Sequence, residues 1–112
     1  MLPRAGRLRH TRDFERVYQQ GRRVSTESFT MYVYARGDDA PTRLGFVVGR
    51  RLGTHAARNR VKRRQRAAAR PQWERLPHGY DLVCIARPPA ATAPMDALRE
   101  QFQRALQQGG VL

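Results

Sequence analysis

Apolar positions along this chain recur with two different periods, and the switch between them predicts the elements. Phe14, Val17 and Tyr18 fall at i, i+3 and i+4, the spacing of one helix face. Thr11 can cap such a helix, Asp13 and Glu15 favour its positive end, and Gly21 stops it. A first helix is therefore expected over 11–20. Over 24–36 the period drops to two. Phe29, Met31, Val33 and Ala35 point one way, and Thr30, Tyr32, Tyr34 and Arg36 the other. The first set reads as core. The second is aromatic and polar together, with a cation at its end. A short extra strand near Val24 is compatible with the same stretch. GDDAPT over 37–42 turns the chain back, and Leu44, Phe46 and Val48 alternate in a second strand over 43–50. YDLVCIA over 80–86 is nearly all apolar, as expected of a central strand covered on both faces. Met95, Leu98, Phe102, Ala105 and Leu106 form the apolar face of a last helix over 94–107.

Between the second and third of these strands lies HAARNRVKRRQRAAAR, residues 55–70. At about 100° per residue, Ala57, Val61 and Ala68 form a narrow stripe of small apolar side chains. Arg58, Asn59, Lys62, Arg63, Arg66 and Arg70 fan across an arc centred opposite, with Arg60 and Arg64 on the other flank. Thr54 is a plausible cap. Pro71 is expected to end or kink this helix, with Trp73 and Leu76 packing its exit onto the core. Residues 1–10, basic and containing Pro and Gly, read as a flexible leader. The order is α-β-β-α-β-α, an α/β (α+β) sandwich expected to form one domain over 1–112.

Charge sharpens the picture. The net charge is +13, and of 22 basic residues all but Lys62 are arginine. No acidic residue occurs between 40 and 73, so the basic helix lacks neutralising i,i+4 partners. A face of one sign points to a polyanion, and arginine forks pair bidentately with phosphate. No apolar run is long enough to span a bilayer, and the first twelve residues lack the apolar core of a signal peptide. A cytoplasmic protein with no membrane partner is expected. Cys84 is the only cysteine, so no internal disulfide is possible, and its apolar run predicts a buried, inert thiol.

Catalytic chemistry of its own is harder to find. The nine carboxylates are scattered, Asp38 and Asp39 sit in a turn, and the three histidines lack ligand spacing with each other or with Cys84. Glycine-rich phosphate loops are missing. RNA binding has positive support: the arginine-rich helix offers phosphate contacts, and Phe14, Tyr18, Tyr32 and Tyr34 offer flat surfaces for unpaired bases. Phe14 and Tyr18 could equally cover the core. Tyr32 leans toward binding because it shares a strand face with Thr30 and Arg36.

ARNRVKRRQR over 57–66 resembles the signature run of the bacterial ribonuclease P protein subunit. RLRHTRDFERVYQQGRRV, RLGFVVGRRLGTHAARNRVKRR and YDLVCIARPPA are similar to the family's opening, strand-loop-helix and third-strand blocks. The resemblance covers residues 7–90. It departs where the family has larger apolar residues and this helix has Arg64, Gln65 and Ala69.

The resemblance implies a mostly antiparallel central sheet with a left-handed β-α-β crossover through the basic helix, as in ribosomal protein S5 domain 2-like folds. It implies a subunit that binds a catalytic RNA and the 5′ leader of precursor tRNA. Leader removal would be endonucleolytic, with magnesium held mainly by the RNA, and the protein would broaden substrate specificity. No catalytic residue and no metal ligand is expected on the chain, which would be monomeric within a 1:1 ribonucleoprotein. Phe14, Tyr18 and Tyr32 match the leader cleft. Arg58, Asn59, Arg60, Lys62, Arg63 and Arg66 match the signature helix, and Arg50, Arg51 and Arg87 match additional basic positions. Rival readings are a structural ribosomal-type RNA-binding protein, a protein-only endoribonuclease and, more remotely, a DNA-binding helix-turn-helix.

Overall fold

The computed structural model describes residues 4–112. Its centre is a four-stranded sheet ordered β1-β2-β4-β3, formed by β1 (Arg22–Ser25), β2 (Phe29–Ala35), β3 (Arg43–Val47) and β4 (Tyr80–Ala86). β1/β2 and β2/β4 are antiparallel, while β3 and β4 are parallel neighbours. Parallel neighbours need a crossover, which is supplied by α2 (His55–Trp73). The other helices are α1 (Thr11–Gln20) and α3 (Met95–Gln108), and short 3-10 turns span Arg4–Gly6, Arg50–Leu52 and Pro88–Ala91.

Strand alternation divides the apolar residues between two faces. Phe29, Met31, Leu44, Leu82 and Cys84 join Leu98, Phe102, Ala105 and Leu106 of α3 and Val61 and Ala68 of α2 in the larger core. Phe29 and Phe102 meet edge to face at 6.3 Å, a preferred aromatic geometry. On the opposite face Leu8, Val17 and Val83 are buried, with Phe14, Tyr32, Tyr34, Val47 and Ile85 packed partly over them. β4 is thus covered on both sides, as its sequence predicts.

Five expectations change. Thr11 does not cap α1 but is its first helical residue, and the cap position, His10, makes no side-chain capping bond. Residues 5–10 are not loose. Leu8 is buried, its N–H donates to the Leu44 carbonyl at 3.0 Å, and Arg7 forms a parallel bridge with Leu44. Residues 1–3 of the expected leader lie outside the described residues. The second strand stops at Val47, because Arg50–Leu52 coil into a 3-10 turn before α2. α2 runs through Pro71 to Trp73. Proline there forfeits one N–H bond in the last turn, where loss is least disruptive. Ala35, assigned to the core, is exposed at the end of β2.

Candidate nucleic-acid interface

α2 begins where Gly53, at φ +118°, releases the chain from the 3-10 turn. Thr54 then accepts the Ala57 N–H at 3.1 Å, satisfying one of the free donors at the helix start. The helix is anchored through a different arc from the one its apolar residues suggest. Val61, Gln65, Ala68, Ala69 and Gln72 are buried. The Gln65 side chain donates to the Cys84 carbonyl at 3.0 Å and the Val47 carbonyl at 3.4 Å, tying mid-helix to β4 and β3. Arg64 Nε donates to the Ala90 carbonyl at 2.9 Å, and its Nη2 to that of Ala93.

This arc turns Arg58 toward the sheet side, where its Nε is buried without a hydrogen-bond partner. Arg58 is therefore a half-buried flank residue, not part of the outward face. Asn59, Arg60, Arg63, Arg66 and Arg70 are exposed, and Lys62 is half-buried. Arg60, Lys62, Arg63, Arg66 and Arg70 have no ion pair among the described residues. Arg58, Lys62, Arg66 and Arg70 form an i,i+4 ridge of like charge, which costs about 0.2–0.5 kcal/mol per adjacent pair in an isolated helix. Packing against α3 and the sheet has to offset that repulsion. A polyanion laid along the ridge would remove it.

On the other face, α1 packs on β2 and β4 and reaches β3 through Phe14. Val17 is fully buried beneath it. Phe14 lies over Gly45, where a Cβ would stand 2.6 Å from the Phe14 Cζ, so only glycine admits the ring there. Tyr18, 40% exposed, meets Tyr32 edge-on with centroids 5.1 Å apart. Burial, and then the neighbouring Tyr32, push the Tyr18 hydroxyl above the usual phenol range. It stays a neutral donor and does not repel phosphate.

Arg36 departs from its expected place on the binding face. Its Nη1 donates to Asp81 at 2.5 Å and to the Tyr80 carbonyl at 2.7 Å, and its Nε donates to Asp38 at 3.1 Å. Arg43 grips the same Asp81 carboxylate with two bonds of 2.8 and 2.7 Å. It also reaches Asp13, beside Phe14, at 3.5 Å. This knot fixes the start of α1 over the start of β3 and β4.

A groove of about 760 Å³ opens along the β3 edge. It brings together Phe14, Lys62, Arg63 and Arg66, with Arg7, Phe46, Arg70 and Trp73 added. Tyr18 and Tyr32 do not line it. The sequence singled out neither Phe46 nor Trp73 for binding, since both read as core residues. Arg70 lies on the cationic arc that helical geometry predicts, as the next step of the i,i+4 ridge. Arg50 and Arg51 are exposed in the turn before α2. Val47 pairs with Ile85, so Arg87 leaves the sheet at the same end. Its Nη1 donates to the Thr26 carbonyl at 2.6 Å, which commits part of that side chain to the β1–β2 turn.

Among the described residues no group of three or more His, Cys, Asp or Glu could hold a metal ion, and Asp13, Asp38 and Asp81 are tied to arginine. These residues do not fit a magnesium cage. No helix among them is long and apolar enough to cross a membrane.

Comparison with known proteins places this geometry. The family model described as Ribonuclease P matches residues 2–109. The ribonuclease P protein component of Symbiobacterium thermophilum is 39% identical over 111 residues, covering 99% of this chain and 96% of that one. That of Chloroflexus aggregans is 42% identical over 112 residues, covering 99% and 82%. Among solved structures, the RNase P protein of Staphylococcus aureus superposes with a TM-score of 0.83 at 27% identity, covering 96% of this chain and 98% of that one. The Thermotoga maritima RNase P protein gives 0.79 at 31% identity, covering 91% and 96%.

Proposed function

Because this chain belongs to the ribonuclease P protein family, we propose that it is the RNA-gripping subunit of an enzyme whose cutting is done by RNA. The observation that carries this reading is the cationic face of α2, without ion pairs among the described residues, on a molecule whose buried carboxylates, Asp13 and Asp81, are held by arginine. Arg60, Lys62, Arg63 and Arg66, flanked by Arg58 and Asn59, would bind the catalytic RNA. Arg50 and Arg51, with the free part of Arg87, would extend that contact past the sheet end. Phe14, Tyr18 and Tyr32 would hold the single-stranded 5′ leader of precursor tRNA, each base stacking for about 1–3 kcal/mol.

The chain donates no nucleophile and no base in this reading. Its work is electrostatic: guanidinium groups lower phosphate repulsion where two RNAs meet. Magnesium would be held by the RNA, where it supplies activated water and charge neutralisation. A 1:1 complex in the cytoplasm, acting on several precursor tRNAs, is the simplest assembly.

The test is to add the purified chain to a bacterial ribonuclease P RNA at low magnesium. Faster cleavage of precursor tRNA is expected, together with tighter binding of leader-bearing precursor. Tyr32→Ala should weaken leader-bearing precursor by about 1–3 kcal/mol while leaving mature tRNA binding unchanged. Equal loss for both RNAs would count against the cleft and favour a purely structural RNA-binding protein.

A further inference from the structure

The groove at the β3 edge holds aromatic and cationic groups that leader binding does not use. We propose that it seats one unpaired nucleotide of the catalytic RNA, its base against Phe46 and Trp73 and its phosphates on Arg66 and Arg70. The inference rests on the reading that this chain binds RNA, and it adds where an unstacked base goes.

Three observations converge. The groove, at about 760 Å³, is of the size that accepts small organic ligands. Phe46 and Trp73 are half-buried and line the groove, and the Trp73 ring is backed by Gly6, where a Cβ would stand 2.1 Å from its Cη2. Lys62, Arg63, Arg66 and Arg70 stand along one wall, without ion pairs among the described residues, and among those residues Glu74 is the only carboxylate in the lining. Aromatic faces beside unpaired guanidinium groups suit a base with its flanking phosphates. They suit a bare phosphate or an apolar peptide less well.

The geometry favours the catalytic RNA over the leader. Of the cations lining the groove, Lys62, Arg63, Arg66 and Arg70 belong to α2 and continue the Arg60–Arg63 face, and Arg7 alone comes from another segment. Tyr18 and Tyr32 lie on the α1 side of the sheet and do not reach the groove, which Leu8 and Phe14 close on that side. Leu8 is itself fastened to β3 through the Leu44 carbonyl.

Trp73 is the only tryptophan, so its emission reports on this groove alone. The full chain is titrated separately with a bacterial ribonuclease P RNA, a leader-length single-stranded RNA and inorganic tripolyphosphate. Quenching by the catalytic RNA, with little change from the other two, is expected. Phe46→Leu keeps apolar bulk but removes the stacking face, and Arg70→Gln lies on exposed surface. Each should weaken catalytic-RNA binding roughly fivefold or more. Wild-type affinity in both variants, no quenching by the catalytic RNA, or quenching by the leader RNA alone would overturn the proposal. Tyr32→Ala measured in parallel separates the two readings. If it loses leader preference while Trp73 stays silent, the leader cleft stands and the nucleotide seat fails.

Discussion

Arg36 and Arg66 carry the same charge and live in opposite circumstances. With Arg43, Arg36 encloses Asp81, whose side chain is 0% exposed. Arg66 has no ion pair among the described residues, and its side chain is open to solvent. In the first region charge is neutralised and welds β2, β3, β4 and the start of α1. In the second, charge is left bare on a helix that would be more stable without it. A cation that meets its counter-charge inside the protein builds the fold, and one that does not is available to a partner. Composition alone cannot separate the two, and the contrast can be broken experimentally from either side.

The largest effect should come from the knot. Asp81→Ala leaves Arg36 and Arg43 facing each other without their shared acceptor. Removing one member of a buried ion pair costs about 3–5 kcal/mol, to be read by urea unfolding. RNA affinity per folded molecule should hold. The bare face should respond the other way. Arg63→Ala with Arg66→Ala should move stability by no more than about 0.5 kcal/mol, as for exposed positions without partners. RNA affinity should fall by about 1.5–3 kcal/mol per lost charged contact. A large fall in stability would mean that these cations are structural after all.

Smaller changes test the joint between the regions. Gly45→Ala places a methyl group against the Phe14 ring at 2.6 Å. The ring has to swing outward, at a cost of about 1 kcal/mol, and leader affinity should drop while α2-dependent binding does not. Cys84 supplies the control with no binding effect. Burial raises its thiol to about 12, opposed only by the Gln65 hydrogen bond. A thiol reagent at mildly alkaline pH should therefore label it only as the protein unfolds. A folded-state value above the ordinary one stabilises the fold at neutral pH. That contribution is lost as pH climbs from about 9 toward 12.

The same contrast explains what could be read from the chain. Strands announced themselves by alternation, β4 by its unbroken apolar run, α2 by its cap at Thr54, and α3 by Leu98, Phe102, Ala105 and Leu106. Those are local signals, complete within about a dozen residues. Asp81 was invisible as an ion-pair centre because its partners lie 38 and 45 residues away. Gln65 was missed because a polar residue on a basic helix reads as outward-facing, yet its amide finds two strand carbonyls. That one anchor shifts the buried arc and turns Arg58 inward. Leu8 sits in a stretch too short to show a period. For the site, helical spacing and motif resemblance both point to Phe14, Lys62, Arg63 and Arg66. Their meeting at one groove depends on β3 being an edge strand, which no local pattern encodes.

The division of charge is tested most directly by the salt dependence of binding to the catalytic RNA. Each phosphate contact contributes about 0.7–0.9 to the slope of log K against log salt. Wild-type chain should show a steep slope, and Arg63→Ala with Arg66→Ala should reduce it by about 1.4–1.8. An unchanged slope in that variant would mean that the open face of α2 does not touch RNA.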